Sequence, residues 1–186
     1  MAYVIEAFTI NLLNITVLLL LGYLFDVLPE VITVMVIMSL LRFTAGGAHS
    51  NSPWRCALVS AVVFLSLALI APHLSSVSGI YLDMLGVLAV STSLITVICF
   101  APVDSISAPI ISAHRRKKLK VLSLLVVLLI TVSIIILRYI PWAYASQIQA
   151  AIILSALWGS FNLTRIGQRL MDLLDEICLD QKKKVH

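Results

Sequence analysis

The chain has 186 residues, 61% of them hydrophobic and 12% charged, with a formal net charge of +4 and a mean hydropathy of +1.07. Soluble domains run about 45–50% apolar and about 25% charged, so a globule of this composition would show water far larger apolar patches than a monomer tolerates. A cytosolic enzyme, a secreted disulfide scaffold and a disordered tail are excluded, and a bilayer-embedded protein remains.

One membrane span takes about 20 apolar residues, so six would use roughly 120 and leave almost nothing for an extramembrane domain. We therefore expect a single all-α domain over residues 1–186: a polytopic helical bundle of about six transmembrane helices with a C-terminal amphipathic helix. The spans are read at about 8–26, 30–45, 57–74, 79–101, 119–138 and 142–163. The fifth and fourth are the clearest, the fourth despite Asp83. The second is the weakest, bounded by Glu30 and Arg42, and is expected to be short, tilted or broken. Turn signals set the other limits: Asp26 to Glu30 with Pro29, Ser52-Pro53, Pro72 to Gly79, Pro102 to Pro109, and Pro141. No cleavable signal peptide is expected, because the first apolar stretch lacks a basic leader and an A-x-A site.

Lysine and arginine indicate the orientation. With both termini in the cytoplasm, Arg42, Arg55, Arg115, Arg116, Lys117, Lys118, Lys120, Arg165, Arg169 and Lys182 to Lys184 all lie inside. Of the 13 basic residues this leaves Arg138 alone outside, beside the interfacial aromatics Tyr139, Trp142 and Tyr144, while Asp26 and Glu30 occupy an outer turn. The expected arrangement is thus a multi-pass membrane protein with both termini cytoplasmic. In the tail, 164–181, Ile166, Leu170, Leu173, Leu174 and Ile177 share one helical face opposite Arg, Asp and Glu, as in a helix lying on the inner leaflet.

Residues 42–56, RFTAGGAHSNSPWRC, carry the one reactive-looking constellation. Gly46-Gly47 lets the backbone turn tightly or approach a ligand closely. His49 precedes Cys56 by two helical turns, about 10.5 Å on an unbroken helix and too far for proton transfer. Ser52 suits an N-cap and Pro53 the first helical position. That would put Cys56 in the first turn of the third span, near free backbone N–H groups and the positive end of the helix dipole. A helix start with a neighbouring Arg55 favours a thiolate, a turn folding His49 back would supply a base, and the same amides could hold an oxyanion. A lone cysteine is more often a small packing residue, and spacing leaves both readings open. Cys99 and Cys178 take the packing reading. Three cysteines at these spacings match no zinc or disulfide framework, and neither a metal nor a cofactor is expected. Neither H-E-x-x-H nor G-x-S-G is present.

The segment R-x4-G-x-H-x6-C, formed by Arg42, Gly47, His49 and Cys56, resembles the accessory gene regulator B (AgrB) family. The resemblance continues in Ala101-Pro102-Val103-Asp104, Pro109-Ile110 and the run Arg115-Arg116-Lys117-Lys118-Leu119-Lys120, and covers most of residues 35–140. It implies a membrane thiol protease that matures a quorum-sensing peptide. Its substrate would be a short amphipathic propeptide (AgrD-like) with an internal Cys or Ser and an acidic tail. Cys56 would be the nucleophile, with His49 as base and then acid, and the product a thiolactone or lactone ring. The resemblance also implies a homodimer in a bacterial plasma membrane, in contact with membrane lipid; the net charge of +4 is read as topology, so no nucleic-acid partner is expected.

Other residues keep two readings each. Asp104 orients His49 or is a turn residue. Arg42 pairs with Asp104, meets substrate, or snorkels. Arg115, Arg116 and Lys117 hold the acidic tail or simply obey the positive-inside bias. Ser52 and Gly47 are candidates for orienting the site or the substrate. Glu6, Asn11 and Asn14 are unusual for a span, and Asp83 is expected at an outer helix end, satisfied by water. A different class also fits six spans: the substrate-binding subunit of a small vitamin transporter, which needs a polar midplane pocket and no reactive thiol.

Overall fold

A computed structural model describes residues 2–47, 53–103, 112–171 and 173. Among these residues there are six long helices and no strand: α1 Ala2–Leu24, α2 Leu28–Ala45, α3 Pro53–Ser75, α4 Gly79–Phe100, α5 Ala113–Tyr139 and α6 Ala145–Leu163. Helical residues continue over 165–171. The ends fall at the turn signals. Asp26 adopts φ 55°, and Val27 N–H donates back to the Gly22 carbonyl at 2.9 Å, closing the α1–α2 turn. Pro29 then stands in the first turn of α2, where its missing N–H has no helical partner to lose. The segment expected to be short or broken is an unbroken helix of 18 residues.

Four helices, α2, α3 from Trp54, α4 and α5, are long and apolar enough to cross a bilayer, and α1 adds a shorter apolar stretch, Phe8–Leu24. α6 is less apolar for a physical reason. It packs against α2, α3, α4 and α5, so its polar residues face protein rather than hydrocarbon. Ala150, Ala151, Ser155 and Ala156 are fully buried, and Ser93 and Ser160 hydroxyls lie 2.8 Å apart between α4 and α6. Small residues permit this close approach, the usual mode of helix association in lipid. At Gly159 an added Cβ would stand 2.5 Å from Leu41 Cδ1 of α2. Outward, Phe8, Val62, Val87, Leu128 and Ile135 are exposed, a surface suited to hydrocarbon. Thr16, Ser66, Thr92 and Ser123 hydroxyls donate to carbonyls one turn back, which satisfies them without water.

Glu30, expected in an outer turn, lies in the first turn of α2, where its side chain is 1% exposed and Oε2 has no hydrogen-bond partner among the described residues. Asp83 is met by Arg138 of α5, whose Nε donates to Oδ2 at 3.0 Å, a partner the sequence did not indicate. In the tail, Ile166, Leu170 and Leu173 are exposed while Gly167 and Met171 are buried. The expected apolar face is thus turned away from the bundle as far as the described residues run; Leu174 and Ile177 lie outside them.

Candidate functional site

The helices alternate in direction, so the end of α2, the start of α3, the end of α4 and the start of α5 gather at one end of the bundle. Two contacts tie this end together: Val103 N–H donates to the Ala45 carbonyl at 2.9 Å, and Lys120 Nζ to the Ile98 carbonyl at 2.8 Å. Gly46 and Gly47 follow α2 at φ 78° and 140°, a region L side chains avoid. A Cβ on Gly46 would also stand 2.5 Å from the Val103 carbonyl oxygen. The glycine is therefore what lets the stretch after α4 lie against the end of α2. The Ala101–Pro102 peptide in that stretch is cis.

Cys56 lies in the first turn of α3 and is half-buried, with Pro53 as the first helical residue. Across from it, in the last turn of α2, Arg42 donates from Nη2 to Cys56 Sγ at 3.0 Å and from Nη1 to Ser60 Oγ at 3.4 Å. Ser60 stands one turn after Cys56 on the same face of α3, so the guanidinium fork spans both side chains. A cation at the C-terminal end of α2 also suits that helix's dipole. The pairing was open in the sequence, where Asp104, substrate or snorkelling were the partners considered; the thiol was not among them. A hydrogen bond from a fixed cation is among the stronger interactions available to a sulfur acceptor.

Beside this pair lies a cavity of about 280 Å3 lined by Asn11 and Asn14 of α1, Ser39 and Arg42 of α2, and Cys56 and Ser60 of α3, with Ile15, Leu18, Met35, Met38, Ala57 and Phe64 completing the wall. A smaller cleft of about 50 Å3, lined by Gly46, Gly47, Trp158 and Asn162, opens on the other side of Arg42. The thiol thus borders a recess that is polar on α1 and apolar deeper in. Asn11 and Asn14, noted in the sequence for their polarity but given no role, share one face of α1 by their three-residue spacing. Ser39 and Ser60 carried no signal at all.

Arg115, Arg116 and Lys117 are exposed in the first turns of α5, at the same end as Cys56. Cations at a helix N-terminus oppose its dipole, so helix stability does not account for them. His49, Ser52 and Asp104 lie outside the described residues. In the chain His49 stands two residues after Gly47, Ser52 directly before α3, and Asp104 directly after Val103. Cys99 is exposed on the last turn of α4, away from this cluster, and Cys178 is outside the described residues. Among the described residues no group of three His, Cys, Asp or Glu side chains is placed to hold a metal ion.

The model of the accessory gene regulator B family matches residues 1–163. An AgrB-like protein of Clostridium perfringens strain 13 is 29% identical over 171 residues, covering 89% of this chain and 80% of its own length. A second, from strain SM101, is 28% identical over the same extent. Protein FsrB of Enterococcus faecalis is 34% identical over 76 residues, 41% of this chain and 31% of its own. No solved structure matches. The family match runs through all six helices and the Arg42–Cys56 pair, and the chain belongs to the accessory gene regulator B family of membrane proteins, which act in quorum-sensing regulation.

Proposed function

We propose that this protein is a membrane-embedded cysteine endopeptidase that cleaves a quorum-sensing propeptide through a thioester and hands the acyl group on to ring closure. The observation that carries the reading is the guanidinium of Arg42 on the sulfur of Cys56, at the mouth of a recess large enough to take a substrate side chain. A packing cysteine has no use for a cation at hydrogen-bond distance.

His49 takes the Cys56 proton as the sulfur attacks the carbonyl carbon of the peptide bond before the acidic tail. A C–S bond forms, the oxyanion is held by N–H groups at the start of α3, and the C–N bond breaks as His49 returns the proton to the leaving amine. The acidic tail departs, leaving a thioester. The propeptide's internal thiol then attacks that carbonyl and passes its proton through His49 to the Cys56 sulfur. One thioester replaces another, so ring closure needs proximity rather than an external energy source; an internal hydroxyl would give a lactone. The partly apolar recess restrains competing attack by water.

In this reading Asp104 orients His49, Ser52 caps α3 and Gly47 sets the approach of the loop. Arg115, Arg116 and Lys117 hold the acidic tail over the thiol, and Asn11 and Asn14 contact the acyl side of the substrate. The protein works as a homodimer in the bacterial plasma membrane with its termini and thiol in the cytoplasm, an orientation supported by the distribution of Lys and Arg.

The test is cleavage of a synthetic propeptide by protein in lipid, followed by mass spectrometry. Cys56→Ala and His49→Ala should release no tail peptide, while Cys99→Ala and Cys178→Ala should leave release nearly unchanged. Tail release by Cys56→Ala would refute the proposal.

A further inference from the structure

At the end of the bundle opposite Cys56, α4, α5 and α6 leave a cavity of about 640 Å3 between them, within the range of ordinary small-molecule sites. It shares no lining residue with the recess beside the thiol. Its rim carries one charge of each sign. Arg138 and Asp83 pair at 3.0 Å with their side chains 47% and 42% exposed, so both heads stay open to a further partner. Arg138 uses Nε in this pair, leaving its two Nη groups facing Gly79, where the absence of a side chain gives them room.

Below the rim the wall is largely apolar, with Val87 and Val90 from α4 and Ile134 and Ile135 from α5. Two hydroxyls also line it, Ser91 of α4 and Thr131 of α5, the latter donating to the Val127 carbonyl at 2.8 Å. From Asp83 to Val90 is two helical turns, about 10.5 Å. Val87 and Ile135 are 69% and 54% exposed, so the cavity opens sideways along the lipid-facing surface. At Gly86 a Cβ would make ordinary contact with Ile153 and Ile134 at 3.4 and 3.5 Å, so the three helices pack closely there. Between rim and floor stands Gln149 of α6. Its side chain is 2% exposed, and Nε2 has no hydrogen-bond partner among the described residues. A buried N–H donor of this kind is destabilising unless an acceptor reaches it.

We propose that this cavity holds one glycerophospholipid whose head group carries both a phosphate and an ammonium. The phosphate sits on Arg138 and the ammonium on Asp83, so the two rim charges match the two head-group charges in sign. Gln149 Nε2 donates to an ester carbonyl, and the upper acyl chain follows Val87 and Ile135 into the surrounding bilayer. The order of chemistry down the cavity, ionic at the rim, then an amide donor, then a largely aliphatic wall, is the order down such a lipid. A water-borne solute of this size would leave that wall open to hydrocarbon.

The test is native mass spectrometry of the full chain, freed of lipid in detergent and titrated with phosphatidylethanolamine and phosphatidylglycerol in competition, each variant being checked by thermal unfolding. The wild type should retain one phosphatidylethanolamine, preferred at least five-fold over phosphatidylglycerol. Val87→Trp, which fills the cavity from its exposed side, should remove the retained lipid. Gln149→Leu should weaken it about five-fold, the loss of one hydrogen bond. Asp83→Asn with Arg138→Gln should abolish the preference between the two lipids. Equal retention by wild type and Val87→Trp, or equal retention of both lipids by the wild type, would overturn the proposal. So would a change from dimer to monomer in Val87→Trp, which would assign the cavity to a second copy of the chain.

Discussion

Arg42→Ala removes the one described side-chain donor whose hydrogen bond to Cys56 Sγ is seen, at 3.0 Å. A hydrogen bond to a charged group contributes about 1.5–3 kcal/mol. Taking about 1 kcal/mol of that as the part the guanidinium lends to the sulfur as it attacks, alkylation should slow about five-fold. The assay is iodoacetamide labelling of detergent-solubilised protein in a Cys99→Ala, Cys178→Ala background, followed by intact mass over time. Ser60→Ala, which removes a longer contact of 3.4 Å, should change the rate less than about two-fold. Arg42→Lys keeps the charge but loses the fork that spans Cys56 and Ser60, and should fall between Arg42→Ala and wild type. If folded Arg42→Ala is alkylated as fast as wild type, the guanidinium does not stabilise the sulfur and its proposed role is wrong.

The bundle and its loops yield further expectations. Gly46→Ala places a Cβ against the Val103 carbonyl at a backbone φ of 78°; the strain is about 1–3 kcal/mol, so thermal unfolding in detergent should begin several degrees lower, and an unchanged melt would refute the close approach. Replacing Arg115, Arg116 and Lys117 together with Gln should raise KM for an acidic-tailed propeptide about ten-fold with little change in kcat, as three exposed ion pairs of about 0.5 kcal/mol each predict. High salt should erase that difference, and a loss confined to kcat would argue against tail binding. A cysteine introduced at Ser112 in the same background should react with an impermeant maleimide only after cells are permeabilised; labelling of intact cells would reverse the orientation.

Much of the architecture was legible because its causes are local. Apolar runs bounded by Pro29, Pro53 and Gly79 mark where α2, α3 and α4 begin, and uninterrupted apolar runs of this length favour helices in lipid. The second span, expected to be short, tilted or broken, is the shortest of the six helices but unbroken, started by Pro29 in its first turn. What stayed hidden depends on packing between distant segments. Arg42 meets Cys56 because α2 and α3 run antiparallel, and no spacing rule distinguishes that partner from Asp104. Asp83 and Arg138 are 55 residues apart. Glu30 reads as a turn residue until its neighbours cover it. Of the candidate site, the sequence singled out Cys56, His49 and Gly47 through the chemistry of the loop and helix start, and Arg42 through the shared motif. The recess contributed by Asn11, Asn14 and Ser39 became visible only once α1 was laid against α3.

The most direct test of Cys56 as nucleophile is to trap the acyl-enzyme. Protein in lipid bilayers, mixed with a propeptide whose internal Cys is replaced by Ala, cannot close a thiolactone, so the thioester should accumulate. Intact mass should then rise by the mass of the peptide without its acidic tail, the adduct should map to Cys56, and hydroxylamine should remove it. Tail release at wild-type rate without any hydroxylamine-sensitive adduct, or an adduct that maps elsewhere and survives Cys56→Ala, would contradict it.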